Sequence, residues 1–277
     1  MAFRDVSVRD ALDSARIPLT AAGCETPALD AELLLAAALG VDRAALHTDP
    51  DAELSSGAVR PFREMVARRT QREPIAYILG RKGFRRIELS VDPRVLIPRP
   101  DTETLVEAAL ELPRGVRVVD IGTGSGAVAL ALKQERADLD VTASDSSADA
   151  LAVARANAAD LGLDVSFVQA DLLDGLEGPW DAVLSNPPYV ADGERSSLPP
   201  EIARHEPAEA LFAGADGLTV IRRLVAEAAR ATRWLALEVG VGQADQVQTL
   251  LREAGFDDVG ARRDLGGIER VVVGRRC

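Results

Sequence analysis

Residues 117–126 read Arg-Val-Val-Asp-Ile-Gly-Thr-Gly-Ser-Gly, a short apolar run broken by one acid and followed by three glycines at alternate positions. Short apolar, β-branched runs that end at glycine mark buried strands, and the stretch after it, 127–135, has the length and apolar content of a helix. A strand that turns at once into a helix is the building unit of an open α/β sheet. Working outward, 141–144, 165–169, 182–185 and 234–239 read as further buried strands. Helices are expected near 148–159, 218–231 and 243–254. Strands alternating with helices predict a parallel, doubly wound sheet covered on both faces. The last two runs, 257–264 and 269–274, flank Gly266-Gly267 and read as two strands joined by a turn.

Upstream the rhythm differs. Thr26-Pro27 has the form of a helix start and Gly40 that of a left-handed stop, with Leu29, Leu33, Ala36 and Ala37 at helical spacing between them. A further helix is expected over 57–72 on Val59, Phe62, Val66 and Arg69. Residues 1–75 therefore read as a small helical domain. Residues 76–101 read as a hairpin and linker, in which Phe84, Ile87, Leu89 and Val91 alternate with polar residues and Ile97-Pro98-Arg99-Pro100 forms a stiff connector. The main α/β domain is expected over 102–277.

The chain of 277 residues carries a net charge of −12 and is 47% hydrophobic, which fits a globular protein with a sizeable core and excludes global disorder. No apolar run approaches the ~18 residues of a membrane span, and the first residues lack the form of a secretory signal. Cys24 and Cys277 make no disulfide framework, and two histidines leave little for zinc, so no metal is expected. The expectation is a cytoplasmic protein. The acidic balance weighs against a broad, sequence-independent grip on nucleic acid.

Glycines at the turn after the first strand let the backbone approach a ligand closely. Asp145 ends the next strand, about two dozen residues after Gly122, where a carboxylate can accept the ribose hydroxyls of a nucleoside. Its bland alternative is an N-cap for the following helix. At the end of the fourth strand stands Ser185-Asn186-Pro187-Pro188-Tyr189. Successive prolines stiffen the backbone and remove two N–H donors. Asn186 offers a side-chain oxygen, Pro187 a carbonyl and Tyr189 a ring face, a set suited to holding a planar –NH2 group.

Together these stretches resemble the class I S-adenosylmethionine-dependent methyltransferases that act on amino nitrogens. Leu96-Ile97-Pro98-Arg99-Pro100-Asp101-Thr102-Glu103, Glu206-Pro207, Asp216-Gly217-Leu218, and Leu237-Glu238-Val239-Gly240 with Gln243 narrow the resemblance to the peptide chain release factor N(5)-glutamine methyltransferase (HemK/PrmC) family. It covers nearly the whole chain. It implies a mostly parallel seven-stranded Rossmann-like sheet, S-adenosylmethionine as cofactor, and methylation of a glutamine in class 1 release factors. The first domain then docks that substrate. It assigns Asn186, Pro187 and Tyr189 to catalysis, and these with Pro188 to the substrate pocket. The cofactor falls to Gly122, Thr123, Gly124, Ser125, Gly126, Asp145, Asn186, Asp171 and Leu172. Some members carry Trp where Leu172 stands. The competing reading keeps the same motif for adenine-N6 methylation of DNA, but the charge of −12 and the lack of an added basic domain disfavour it.

Overall fold

A computed structural model of the chain describes residues 6–276. They form two compact units, one running to Gly80 and including Pro199–His205, the other made of Arg81–Leu198 and the residues from Glu206 onward.

The first unit contains α1 (Val8–Ala21), α2 (Pro27–Leu39), α3 (Ser56–Thr70) and the single turn α4 (Ile75–Leu79). Gly40 adopts the left-handed stop expected of it, with φ 67°. Thr26 occupies the N-cap position of α2, yet its hydroxyl donates to Asp30 Oδ1 at 2.9 Å instead of capping the backbone. The inner face of α2 is also rotated from the expected stripe. Ala31, Leu34, Leu35 and Ala36 are buried, whereas Leu29 is partly exposed, because the contacts with α1 and α3 are made one residue further round.

A buried charge network crosses this unit. Arg69 Nε donates to Asp30 Oδ2 at 2.7 Å and its Nη1 to Glu201 Oε1 at 2.8 Å. Arg72 grips the same Glu201 through both carboxylate oxygens at 2.6 Å. Burial alone raises a carboxyl's pKa, but the hydrogen bonds from Arg72 and Arg69 outweigh it and hold Glu201 near 2. The network explains why Pro199–His205, far away in sequence, belongs with the N-terminal helices.

The second unit opens with β1 (Arg81–Phe84) and β2 (Ile87–Ser90), an antiparallel hairpin in which Phe84 pairs with Ile87. Hence the boundary falls at Gly80–Arg81, and neither at residue 75 nor at the proline connector. Next come α5 (Glu103–Leu110), β3 (Arg117–Ile121), α6 (Ala127–Glu135), β4 (Asp140–Asp145), α7 (Ala148–Leu161), β5 (Ser166–Gln169) and β6 (Ala182–Ser185). Beyond the short helix α8 (Pro200–His205) of the first unit follow α9 (Thr219–Ala231), β7 (Trp234–Glu238), α10 (Ala244–Glu253), β8 (Asp258–Arg263) and β9 (Glu269–Arg275). The sheet order is β5-β4-β3-β6-β7-β9-β8, parallel through β7 and antiparallel at β9 and β8. Strands β3, β6 and β7 are almost wholly buried, as a sheet covered on both faces requires. On α9 the residues Ile221, Leu224, Val225 and Ala228 supply one such cover.

Arg69→Met strips Asp30 and Glu201 of a shared buried partner and is expected to destabilise the protein by about 3–5 kcal/mol in urea unfolding. Because the Glu201 pKa is depressed when folded, its share of the stability is present above the ordinary carboxylate pKa of about 4.5 and fades as pH falls through about 2. A loss below about 1 kcal/mol would mean that these charges are solvated.

Candidate active site

The sheet reverses its winding between β3 and β6, and open α/β sheets bind ligands outside the carboxyl ends of strands at such a point. Ser185 Oγ donates to the Ile121 carbonyl at 2.7 Å and ties the two strand ends together. Asp120, 1% exposed, accepts from Thr123 Oγ1 at 2.6 Å and from the Ala129 amide. Burial pushes its carboxyl up to about 7, against the pull of those hydrogen bonds.

A cleft opens here, with Gly122, Gly124 and Asp145 on one side, Asp171 and Leu172 on another, and Asn186 and Pro188 at its end. Gly122 and Gly124 have φ of 70° and 55°, and the space where their side chains would stand is open. Asp145 Oδ2 accepts from the Gly124 amide and Oδ1 from the Ser147 amide, both at 2.9 Å. Its carboxylate therefore pins the glycine turn to the start of α7, and burial raises its pKa. The N-cap of α7 is Ser147, whose hydroxyl accepts from the Ala150 amide. Asp171 pairs with Arg223 at 2.9 Å, and Leu172 holds a left-handed φ of 56° at the cleft wall.

Three residues expected to hold the cofactor do not line this cleft. Thr123 is committed to Asp120. Ser125 is 2% exposed, and its carbonyl accepts from Asn157 Nδ2 at 2.9 Å. Gly126 caps α6 at φ 85°, a left-handed backbone that favours glycine, and an added Cβ would also stand 2.8 Å from Leu130 Cδ1. Asn157 was not singled out from the sequence, although it also holds the Ser90 amide at 2.8 Å and so joins the hairpin to the glycine turn.

Around the Asn-Pro-Pro-Tyr turn, Asn186 lies at the cleft while Pro187 is buried. Tyr189 does not line the cleft either. Its hydroxyl donates to Glu238 Oε1 at 3.3 Å, since a largely buried phenol needs a partner, and burial raises its pKa further above the ordinary value. Asn186 Nδ2 donates to Thr102 Oγ1 at 3.2 Å. Gln243 donates to the Tyr189 carbonyl at 3.0 Å and accepts from the Gly240 amide at 2.8 Å. Gly217 is required beneath it, because an added Cβ would stand 2.2 Å from the Tyr189 carbonyl oxygen. Thr102 and Glu238 lie in the stretches 96–103 and 237–240, whose resemblance to the family assigns them no role. The available signal was a lone acid in the apolar strand Trp234–Glu238. Among the described residues, no cluster of His, Cys, Asp or Glu could hold a metal ion, and no helix is long and apolar enough to cross a membrane.

Residues 10–80 match the PrmC N-terminal domain family, and residues 100–233 match the methyltransferase small domain family. The release factor glutamine methyltransferase of Mycolicibacterium smegmatis is 44% identical over 97% of this chain and 98% of its own. That of Deinococcus radiodurans is 43% identical over 98% and 99%. Among solved structures, a methyltransferase from Pyrococcus furiosus aligns with TM-score 0.53 at 19% identity, covering 68% of this chain and 88% of its own. A 16S rRNA methyltransferase of T. Thermophilus in complex with AdoMet and guanosine aligns with TM-score 0.54 at 18% identity, covering 71% and 50%. These last two share the fold. Near-full-length identity above 40% goes further, and this chain belongs to the release factor glutamine methyltransferase family.

Proposed function

We propose that the chain transfers a methyl group from S-adenosylmethionine to the side-chain amide nitrogen of a glutamine in a class 1 peptide chain release factor. The observation that carries this reading is Asn186, held by Thr102 at the end of the cleft where the sheet reverses.

The cleft fits a nucleoside cofactor. Gly122 and Gly124 leave open space, Asp145 keeps unused lone pairs beside its two amide bonds, and Leu172 presents an aliphatic surface in place of an aromatic one. S-adenosylmethionine supplies an electrophilic methyl on a sulfonium. Amide nitrogen is a poor nucleophile because its lone pair is shared with the carbonyl. Asn186 Oδ1 and the Pro187 carbonyl accept the two N–H groups, favour positive charge on the nitrogen and orient its lone pair, so catalysis rests on positioning and electrostatics. The Tyr189 ring, which stands outside the cofactor cleft with its hydroxyl on Glu238, is assigned to the face of the planar amide, and Pro188 lines the cleft beside Asn186. The surplus proton then leaves to water.

A pocket for one glutamine cannot choose one protein among many, so selectivity needs further surface. We assign that docking to the helical unit. The compartment this implies is the cytoplasm, where release factors work.

Asn186→Ala is expected to lower turnover by roughly 10²-fold or more while cofactor affinity stays near wild type, read by labelled methyl transfer beside calorimetry. Loss confined to cofactor binding would remove Asn186 from the substrate.

Asp145→Ala should weaken S-adenosylmethionine binding by about 1.5–3 kcal/mol in calorimetry. Unchanged affinity would move the ribose elsewhere.

For docking, kcat/KM on the intact factor should exceed that on a short glutamine peptide by about 10²-fold or more, as expected where recognition extends beyond the reacting group. Equal values would leave no role for a second surface.

A further inference from the structure

Two buried residues behind Asn186 have no role in the mechanism above. Thr102 is 3% exposed and Glu238 1%. Asn186 Nδ2 donates to Thr102 Oγ1 at 3.2 Å, Tyr189 donates to Glu238 Oε1 at 3.3 Å, and the other carboxylate oxygen, Oε2, is buried without a partner beside Thr102. The four side chains run from the cleft to the end of β7, and the unpartnered Glu238 Oε2 is the acceptor that the Thr102 proton has at hand.

An asparagine amide has nearly the same shape in either orientation, so packing alone does not decide whether it shows its oxygen or its NH2 to a substrate. Hydrogen-bond direction decides it. A carboxylate only accepts, so both hydroxyls facing Glu238 must donate to it. Thr102 has a single proton. Once that proton is committed to Glu238, only the lone pairs of Oγ1 remain for Asn186, and they require its NH2.

We propose that Thr102 and Glu238 are positioning residues that fix the Asn186 carboxamide with Oδ1 turned to the substrate nitrogen. With Glu238 absent, the Thr102 hydroxyl can turn and donate to Asn186 Oδ1. The amide then flips and presents NH2, which repels the N–H groups it has to accept. The inference rests on the glutamine-methyltransferase reading for its kinetic consequence, but the amide orientation itself does not depend on it.

The charge on Glu238 depends on its surroundings. Burial raises its pKa to about 7, with the Asp101 charge raising it and Tyr189, Thr102 and Arg270 lowering it. Arg270 in turn pairs with Asp101 at 3.0 Å and Asp264 at 3.2 Å. Measurements at pH 8 keep the carboxylate largely ionised.

Thr102→Val, of the same shape without the hydroxyl, is expected to lower kcat by about tenfold or more, the loss of one oriented hydrogen bond, with S-adenosylmethionine affinity unchanged. Thr102→Ser should restore kcat to within about threefold, because the direction of the bond is restored. Glu238→Gln should behave like Thr102→Val. In an Asn186→Ala background, adding Thr102→Val should cost nothing further, whereas a structural role would subtract its full effect again. In the substrate-free protein, the Asn186 side-chain amide protons, identified by their loss in Asn186→Ala, should show slowed exchange in wild type and Thr102→Ser but not in Thr102→Val. Wild-type kcat in Thr102→Val, additive losses, or an unchanged amide resonance would each overturn the proposal. A wild-type chain inert toward the release factor would defeat the functional reading alone, and the amide resonance would still decide the orientation.

Discussion

At the end of β3 the backbone must turn sharply, expose the glycines to a cleft and still leave no buried polar group without a partner. Asp120 makes this possible. Its carboxylate sits in the sheet interior, holding the Thr123 hydroxyl and the Ala129 amide, so the turn is fastened from beneath rather than from the ligand side. Asp145 fastens the same turn from β4, and Asn157 from α7. With three side chains from three elements holding it, the loop can afford bare backbone at Gly122 and Gly124.

The opposite wall is held by different means. The Asn-Pro-Pro-Tyr turn can donate few backbone N–H groups, and its restraint comes from residues elsewhere in the chain. Gln243 bridges the Tyr189 carbonyl to the Gly240 amide, Thr102 takes the Asn186 amide, and Glu238 takes the Tyr189 hydroxyl. Proline stiffness and these external partners serve one end, which is to keep acceptor groups unpaired and aimed before a substrate arrives.

Much of this was legible in the sequence because it follows from local rules. Strands 117–121 and 182–185 were marked by short apolar runs, and the reversal of winding follows from the order of strands and helices. Gly40 was readable because left-handed backbone favours glycine. What escaped depended on partners distant in the chain. Nothing local distinguishes Gly126, which packs on Leu130, from Gly122, which faces open space. Thr123 resembles a ligand contact until Asp120 is seen to claim its proton. The boundary at Gly80 was missed because prolines at 98 and 100 suggest a linker, whereas the hairpin before them is bound to Asn157 of α7.

The segment Pro199–His205 has a consequence for how the chain comes apart. The helical unit is not a simple N-terminal extension, because Glu201, contributed from a point well past β6, satisfies both Arg69 and Arg72. A protease that cuts once near residue 80 therefore does not release a finished domain. The N-terminal piece stays clasped to the remainder through the hydrogen bonds that Arg69 and Arg72 make to Glu201, and gel filtration of the nicked protein would return both pieces in one peak.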